Sequence, residues 1–371
     1  MTTLNPVSVL EIDLDAVLHN LRYFERKLQT HTKVLAVVKA FSYGLDAVAI
    51  ARFLEKNKVD YLAVAYAAEG VALRKAGVQL PVLVLHPQVP NFQALIDYQL
   101  EPNLYSFYTL EAFLKIAKKN HLKDYPIHLK FNTGLNRLGF KEENLPQILE
   151  VFKESAFLKI QSVFSHLAAS EDANEKEFTK SQIDQFSNLT ARLQKQLDYR
   201  PILHLSNTSG VLNYEKGHFD MVRLGIGLYG FGNTPEETSN LKNVGSLKSI
   251  ISQIHVLEKG TSLGYNRAFV AAKTTRTATI PVGHADGISR SLGNEVGSVQ
   301  IHRQKCAILG NVCMDMLLVD VTEVPCKEGD PVVLFDSQET VEEWAEKSNT
   351  ISYEILTGIS QRIPRKIKGG F

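Results

Sequence analysis

Residues 34–44 read VLAVVKAFSYG. The run Val34, Leu35, Ala36, Val37, Val38 is apolar throughout and short, as a buried strand is. Strands apolar on both faces belong to parallel sheets covered on both sides. Lys39 stands where the run ends, followed by Ala40, Phe41, Ser42, Tyr43 and Gly44. α/β proteins place their chemistry at the carboxyl ends of parallel strands. Such a lysine is either a solvated loop residue or a partly desolvated amine of lowered pKa. The second kind serves as a Schiff-base amine or general base.

The chain around this stretch alternates. Strands are expected at 9–13, 34–38, 61–65, 81–85, 101–106, 127–131, 160–165, 202–205 and 221–224. Helical patterns separate them at 46–55, 67–75, 92–98, 110–120, 145–152, 178–197 and 208–213, and Asp13 or Asp15 can cap the helix after the first strand. With that first strand set aside, eight strands alternate with helices over roughly 200 residues, the pattern of a (β/α)8 TIM barrel. An open doubly wound sheet would need a glycine-rich turn near its start, and the chain has none there.

Ionisable and polar residues gather at the expected strand ends. They are Lys39, then Leu85-His86, then Lys130 with Asn132, Thr133, Gly134 and Arg137. His166, His204 with Ser206, Asn207 and Thr208, and Arg223 with Gly225, Ile226 and Gly227 follow. One histidine or arginine at a strand end is commonly a structural group; many at one rim of one barrel make a site. Asn207-Thr208-Ser209-Gly210 opens a short helix, and Gly225-Ile226-Gly227 lets backbone amides approach a ligand, so both can hold an anion. Barrels commonly build phosphate sites after strands seven and eight. A reactive lysine with a phosphate cup points to pyridoxal phosphate.

Near residue 241 the pattern changes. Short strands are expected at 249–257, 275–282, 298–302, 307–309, 316–321 and 331–335, with glycines in the turns between them. Helices return at 340–347 and near 353–360. The expected architecture is a barrel domain over 1–240 and a mainly antiparallel β domain over 241–371. Three patches in the second are polar: 264–267 (GYNR), 283–287 (GHADG) and 311–315 (NVCMD).

Composition narrows the function. The chain has 371 residues, 44% hydrophobic and 22% charged, with a net charge of +1. That balance excludes a strongly basic nucleic-acid or anionic-membrane binder, and no apolar run approaches the ~18–20 residues of a membrane span. Residues 1–15 lack a basic region followed by a long apolar one, so no secretory signal is expected. Cys306, Cys313 and Cys326 are odd in number and lack CxxC spacing, which favours reduced thiols in a cytoplasm and no structural metal.

Nine motifs together resemble the alanine racemases. They are VVKAFSYG (37–44), KFNTGLNRLGF (130–140), SHLAASE (165–171), HLSNTSG (204–210), VRLGIGLYG (222–230), GYN (264–266), IPVGHADG (280–287), GNVCMDM (310–316) and ISYEILTGISQRIPR (351–365). They fall in order over nearly the whole chain. The resemblance implies an N-terminal barrel, a C-terminal β domain, pyridoxal phosphate, and a head-to-tail homodimer whose sites each borrow residues from the second chain's β domain. It implies a cytoplasmic enzyme interconverting L-alanine and D-alanine for peptidoglycan. Lys39 then carries the cofactor as a Schiff base and is one catalytic base; Tyr265 is the other. Tyr43, Thr208, Tyr353, Gly225 and Ile226 hold the phosphate, Arg223 faces the ring nitrogen, and Leu85, His166 and Asn207 complete the cofactor set. Arg137 and the Met314 backbone meet the substrate. Lys130, a position often carbamylated, steadies Arg137, and His204, Cys313, Asp315 and His284 are supporting residues.

The chain departs from the family pattern in places. Phe41-Ser42 and Leu45-Asp46 stand where Asn-Ala and His-Gly are commoner, Asn132 replaces Asp, Thr208 replaces Ser and His284 replaces Tyr. Three alternatives stand beside this resemblance. A serine or broad-specificity racemase differs in its side-chain pocket. A decarboxylase of the same fold would want an acidic residue beside a catalytic cysteine, whereas GYN (264–266) and Arg223 favour the racemase. A non-enzymatic pyridoxal-phosphate carrier would end after the barrel.

Overall fold

The computed structural model describes residues 5–153 and 155–370. Residues 1–4 of the stretch read for a secretory signal, and the last residue of the expected β domain, lie outside them.

β1 (Val9–Asp13) stands outside the barrel. Then follow β2 (Lys33–Val37), β3 (Tyr61–Val64), β4 (Val82–Val84), β5 (Glu101–Leu104), β6 (Tyr125–Lys130), β7 (Leu158–Phe164), β8 (Ile202–His204) and β9 (Met221–Leu224). These eight close a parallel barrel in chain order, with Leu35 of β2 opposite both Tyr61 of β3 and Arg223 of β9. Every residue of β3, β4 and β9 is buried, because a barrel strand faces packed side chains on one side and helices on the other. The helix Lys176–Gln194 buries Ile183, Phe186, Leu189 and Leu193, a stripe of helical period. The helix Phe107–Lys119 begins earlier than the expected 110 because Ser106 caps it, its hydroxyl accepting the Thr109 N–H.

The other strands are β10 (Gly245–Ile250), β11 (Gln253–Leu257), β12 (Ser262–Leu263), β13 (Phe269–Val270), β14 (Thr275–Ile280), β15 (Ser298–Ile301), β16 (Gln304–Ala307), β17 (Leu317–Asp320), β18 (Pro331–Phe335) and β19 (Arg365–Lys368). They make a six-stranded sheet, β16-β15-β18-β10-β1-β19, a three-stranded sheet, β11-β14-β17, and the pair β12-β13. The expected single strand 249–257 is two strands in different sheets. Between them the Ile251 N–H turns to the Asp330 carbonyl (3.0 Å) and the Ser252 N–H to that of Thr279 (2.8 Å). β19 was not expected; its Arg-Lys-Ile-Lys sequence carries no apolar alternation, and it is a strand because its backbone pairs with β1.

By internal contacts the chain divides into Leu18–Ser42 with Ala47–Leu241, and Met1–Val17 with Tyr43–Asp46 and Lys242–Phe371. β1, within the expected barrel range 1–240, pairs with β10 and β19. Among the described residues no helix is long and apolar enough to cross a membrane, and no group of three or more His, Cys, Asp or Glu could hold a metal ion.

Candidate active site

β2 delivers Lys39 to the carboxyl rim. Burial and then the Arg137 cation pull the lysine's pKa below its ordinary value, and Glu69 partly opposes them. Past Lys39 the backbone turns left-handed at four consecutive non-glycine residues, with φ of 51° at Ala40, 57° at Phe41, 55° at Ser42 and 56° at Tyr43. Each such residue costs about 1–2 kcal/mol, and strain of this kind collects at functional sites. Glu69 anchors the start of the turn. Its carboxylate accepts the N–H groups of Ala40 (2.6 Å), Ala65 (2.6 Å) and Tyr66 (3.0 Å), joining the ends of β2 and β3.

Arg223 sits fully inside the barrel. Its guanidinium donates to His204 Nδ1 (2.9 Å), His166 Nδ1 (3.0 Å) and the carbonyls of Ser165 and Leu205 (both 2.7 Å). Its Nε–H takes no acceptor among the described residues. Phe164 is the floor of this group: the His204 ring stacks on it at 4.7 Å, and Arg223 and Lys130 lie over it at 5.3 and 5.7 Å. Burial and then Arg137 push Arg223 down to about 9. Burial and then Arg223 hold both His166 and His204 well below the ordinary histidine range, so both rings are neutral.

Lys130 is pushed down to about 7 by burial, then by Arg223, Arg137 and Lys39. Four cationic side chains thus press on one another at one mouth. This has a consequence for stability. The unfolded chain holds the Lys130 proton up to about 10.5 and the folded chain only up to about 7, so Lys130 weighs against folding at low pH, and folding gains as pH rises between those values. The wild type should therefore gain stability relative to Lys130→Met as pH rises through that window, read from denaturant midpoints. A flat or falling difference would contradict the placement of the amine.

After β8, Asn207 caps the short helix Thr208–Asn213, accepting the Gly210 N–H at 2.9 Å. The Thr208 hydroxyl accepts from the amides of Gly225 (3.1 Å) and Gly227 (3.3 Å), drawing the two expected phosphate loops together. A Cβ on Gly227 would come within 2.4 Å of the Phe24 ring and 2.6 Å of Thr208 Cγ2. Gly227→Ala should cost about 1–3 kcal/mol in urea unfolding and displace Thr208; wild-type stability would refute that close approach. Leu85 lies just past β4, its carbonyl accepting from Asn103 Nδ2 at 2.7 Å.

The other unit gathers its own set. Tyr43 and Tyr353 have ring centroids 5.8 Å apart. Arg365 donates to the carbonyls of Gly44 (2.7 Å), Leu45 (3.2 Å), Ile359 (3.0 Å) and Ser360 (2.5 Å), tying the 43–46 segment to the 359–363 turn. Tyr265 is 70% exposed and Met314 58%. The Tyr265 carbonyl accepts from Asn311 (3.2 Å), while the Cys313 and Met314 carbonyls accept the amides of His284 (2.9 Å) and Ala285 (3.0 Å). Arg362 clamps Asp286 (2.6 and 3.0 Å) and Asp315 (2.7 Å), and these two carboxylates raise its pKa. The three polar patches therefore form one surface. The Cys313 thiol is pushed up by burial, which fits a packing residue better than a nucleophile.

Sequence reasoning missed Glu69, Arg362 and Arg365, each of which acts on backbone or on another side chain. It also missed Glu101, His128 and Ser162 inside the barrel. The signal for His128 was its spacing: it stands two before Lys130 on β6, so both point to the same face.

Family models described as alanine racemase, N-terminal domain, and alanine racemase, C-terminal domain, match residues 12–233 and 244–367. A protein of Halothermothrix orenii named alanine racemase is 35% identical over 366 residues, covering 96% of this chain and 96% of that protein. The solved alanine racemase of Clostridium difficile 630 superposes with a TM-score of 0.93 at 32% identity, covering 99% of this chain and 97% of that one. That of Bartonella henselae, whose structure contains covalently bound pyridoxal phosphate, gives 0.87 at 28% identity over 98% of this chain and 100% of that one. With matches this long in both halves, on a closed barrel and a β-rich unit, the chain belongs to the alanine racemases, a family of isomerases.

Proposed function

We propose that this protein interconverts L-alanine and D-alanine with pyridoxal phosphate, using one base on each face of the substrate. The observation that carries the reading is the cluster of Lys39, Lys130, Arg137 and Arg223 at one mouth of the barrel, where burial and then the Arg137 charge lower the pKa of Lys39 and Arg223, and burial and then Arg223, Arg137 and Lys39 lower that of Lys130. Such a mouth suits a ligand with a phosphate and a carboxylate. The residues fit the cofactor on a second ground: the Arg223 Nε–H is left for an acceptor outside the protein, and guanidinium is a donor only. A donor of this kind opposite the cofactor's ring nitrogen would keep that nitrogen without a proton. The covalent pyridoxal phosphate of the Bartonella henselae relative supports the same choice.

The cofactor, when bound, withdraws electrons from the substrate and makes its Cα–H acidic. Lys39 holds the cofactor and then moves the proton on one face. Its lowered pKa leaves more free amine to accept that proton at neutral pH. Tyr265 of the partner subunit moves the proton on the opposite face. A phenol needs help to ionise, and the Arg223 cation, bonded to the neutral rings of His166 and His204, supplies the field. Tyr43, Thr208, Tyr353 and the amides of Gly225 and Ile226 hold the phosphate, with Leu85 and Asn207 around the cofactor. Arg137 and the Met314 backbone orient the substrate carboxylate. The neutral share of Lys130 is the form that adds carbon dioxide, with release of a proton, to give Arg137 an anionic partner. Cys313, Asp315 and His284 shape the loop that presents Met314.

On this reading residues 1–240 bind the cofactor and 241–371 complete the site of a second copy in a homodimer. The product D-alanine serves peptidoglycan in the cytoplasm. A racemase that also takes serine is the second reading, because Phe41 and His284 change the family's usual residues near the substrate path. Chiral chromatography of L-alanine, L-serine and L-lysine after incubation with the yellow protein decides. Fastest turnover of alanine is expected. Faster serine turnover would move the substrate, and a protein that takes up no pyridoxal phosphate would overturn the reading.

A further inference from the structure

Arg223 is one end of a buried chain of hydrogen bonds that crosses the barrel interior. His204 Nε2 lies 2.8 Å from Ser162 Oγ, Ser162 Oγ 2.5 Å from His128 Nδ1, and His128 Nε2 2.8 Å from Glu101 Oε2. His128, Ser162 and His204 are all 0% exposed. Glu101 opens β5, at the rim opposite the lysine mouth.

Donor and acceptor rules allow this chain one direction. Guanidinium only donates, so His204 Nδ1 accepts from Arg223 and the ring carries its proton on Nε2. That proton goes to Ser162 Oγ. The serine hydroxyl must then give its own hydrogen to His128 Nδ1, which leaves the His128 proton on Nε2, donated to the Glu101 carboxylate. A doubly protonated His128 would leave the buried serine hydroxyl with no acceptor. On the other arm Arg223 donates to His166 Nδ1, so His166 also carries its proton on Nε2.

We propose that Glu101 is the counter-anion of Arg223 and positions its guanidinium from the far rim through the neutral links His204, Ser162 and His128. The functional sense rests on the reading of Arg223 above as the group facing the cofactor ring nitrogen. A carboxylate beside Arg223 would cancel the positive field there and compete for its free donor. At the far end of a relay of aligned dipoles, the anion stabilises the buried cation and leaves the mouth positive. The links His204, Ser162 and His128 are enclosed within the barrel and Glu101 lies at the far rim, so all four are positioning residues.

The test uses the pyridoxal-phosphate-loaded protein labelled with 15N-histidine. Long-range 1H–15N correlation spectra are expected to show His128, His166 and His204 as neutral rings protonated at Nε2. Glu101→Gln keeps an accepting oxygen and removes the charge: the tautomers should hold while kcat for L-alanine falls. Ser162→Ala cuts the relay: the His204 and His128 signals should move, with kcat down on the order of 10–100-fold, as when outer partners of metal-bound histidines are removed. In both variants the colour should persist and KM should change little, because the binding groups are untouched. A His204 protonated at Nδ1, a doubly protonated His128, or wild-type kcat in both variants would overturn the proposal. If Ser162→Ala does not fold, the wild-type tautomers and Glu101→Gln decide. The spectra need no turnover, so a wild type that fails to racemise alanine sinks the proposed activity and leaves the relay to be judged on its tautomers.

Discussion

Lys39→Ala is expected to be colourless and to leave L-alanine unchanged. Two losses combine in this variant. The first is the amine that would anchor pyridoxal phosphate covalently; the second is one of the two proton-transfer groups, which alone contributes about 10²–10⁴-fold. No neighbour can take over. Lys130 projects from β6, lies over the Phe164 ring and is boxed in by Arg223 and Arg137. Arg137 and Arg223 have no nucleophilic amine. Folding should survive, because burial and Arg137 already penalise the Lys39 charge in the folded chain, and removing it lifts that penalty. The unfolding midpoint without cofactor should therefore equal or exceed that of the wild type. Visible spectra before and after added pyridoxal phosphate, borohydride reduction, and chiral analysis of alanine make the check. A variant that still holds the cofactor through a reducible bond would remove Lys39 from the mechanism.

Tyr265→Phe should separate binding from chemistry. The ring stays and only the hydroxyl goes, from a residue 70% exposed in the chain. Exposed substitutions of this kind stay within about ±0.5 kcal/mol of wild-type stability. Colour should be retained, and racemisation should fall by about 10²–10⁴-fold. The two enantiomers should then behave differently in deuterium oxide. The one whose α-hydrogen faces Lys39 should still exchange it, without inverting, while the other should exchange slowly. Equal exchange of both enantiomers at wild-type rates would mean that another group serves the second face.

Part of the barrel was legible because the run 34–38 and the strands β3 and β4 are written as unbroken apolar runs. Val34 to Val38, and the buried residues of β3 and β4, have no other use in a chain of this composition. Lys39, Lys130, His166, His204 and Arg223 stand out for the opposite reason, as polar residues at the ends of apolar runs. The turn after Lys39 was not legible. Ala40, Phe41 and Ser42 have no sequence mark of left-handed backbone, which Glu69 supports from another element. The break between β10 and β11 was hidden because Ile250 and Ile251 continue the apolar pattern through the turn. The Glu101 relay escaped because its parts come from five strands, and its logic lies in donor direction rather than in spacing. Tyr265 and Met314 could be placed only through resemblance. An exposed tyrosine in a glycine-rich loop is ordinary until a second chain is considered.

The position of β1 has a consequence for biosynthesis. In the six-stranded sheet β1 lies between β10, which it pairs antiparallel, and β19, which it pairs parallel. The strand at residues 9–13 leaves the ribosome early and acquires these partners only when residues 245–250 and 365–368 have been made. Through most of translation both its edges are open, the state most prone to pairing with another nascent chain. The charge at its centre is one protection: Glu11 is later neutralised by Lys248 and Lys368, but until then it keeps the young strand anionic. Most barrel strands pair with the strand next in sequence, and the seam between β2 and β9 waits only for residues 221–224. The six-stranded sheet of the β-rich unit should therefore be completed last, when residues 365–368 reach β1.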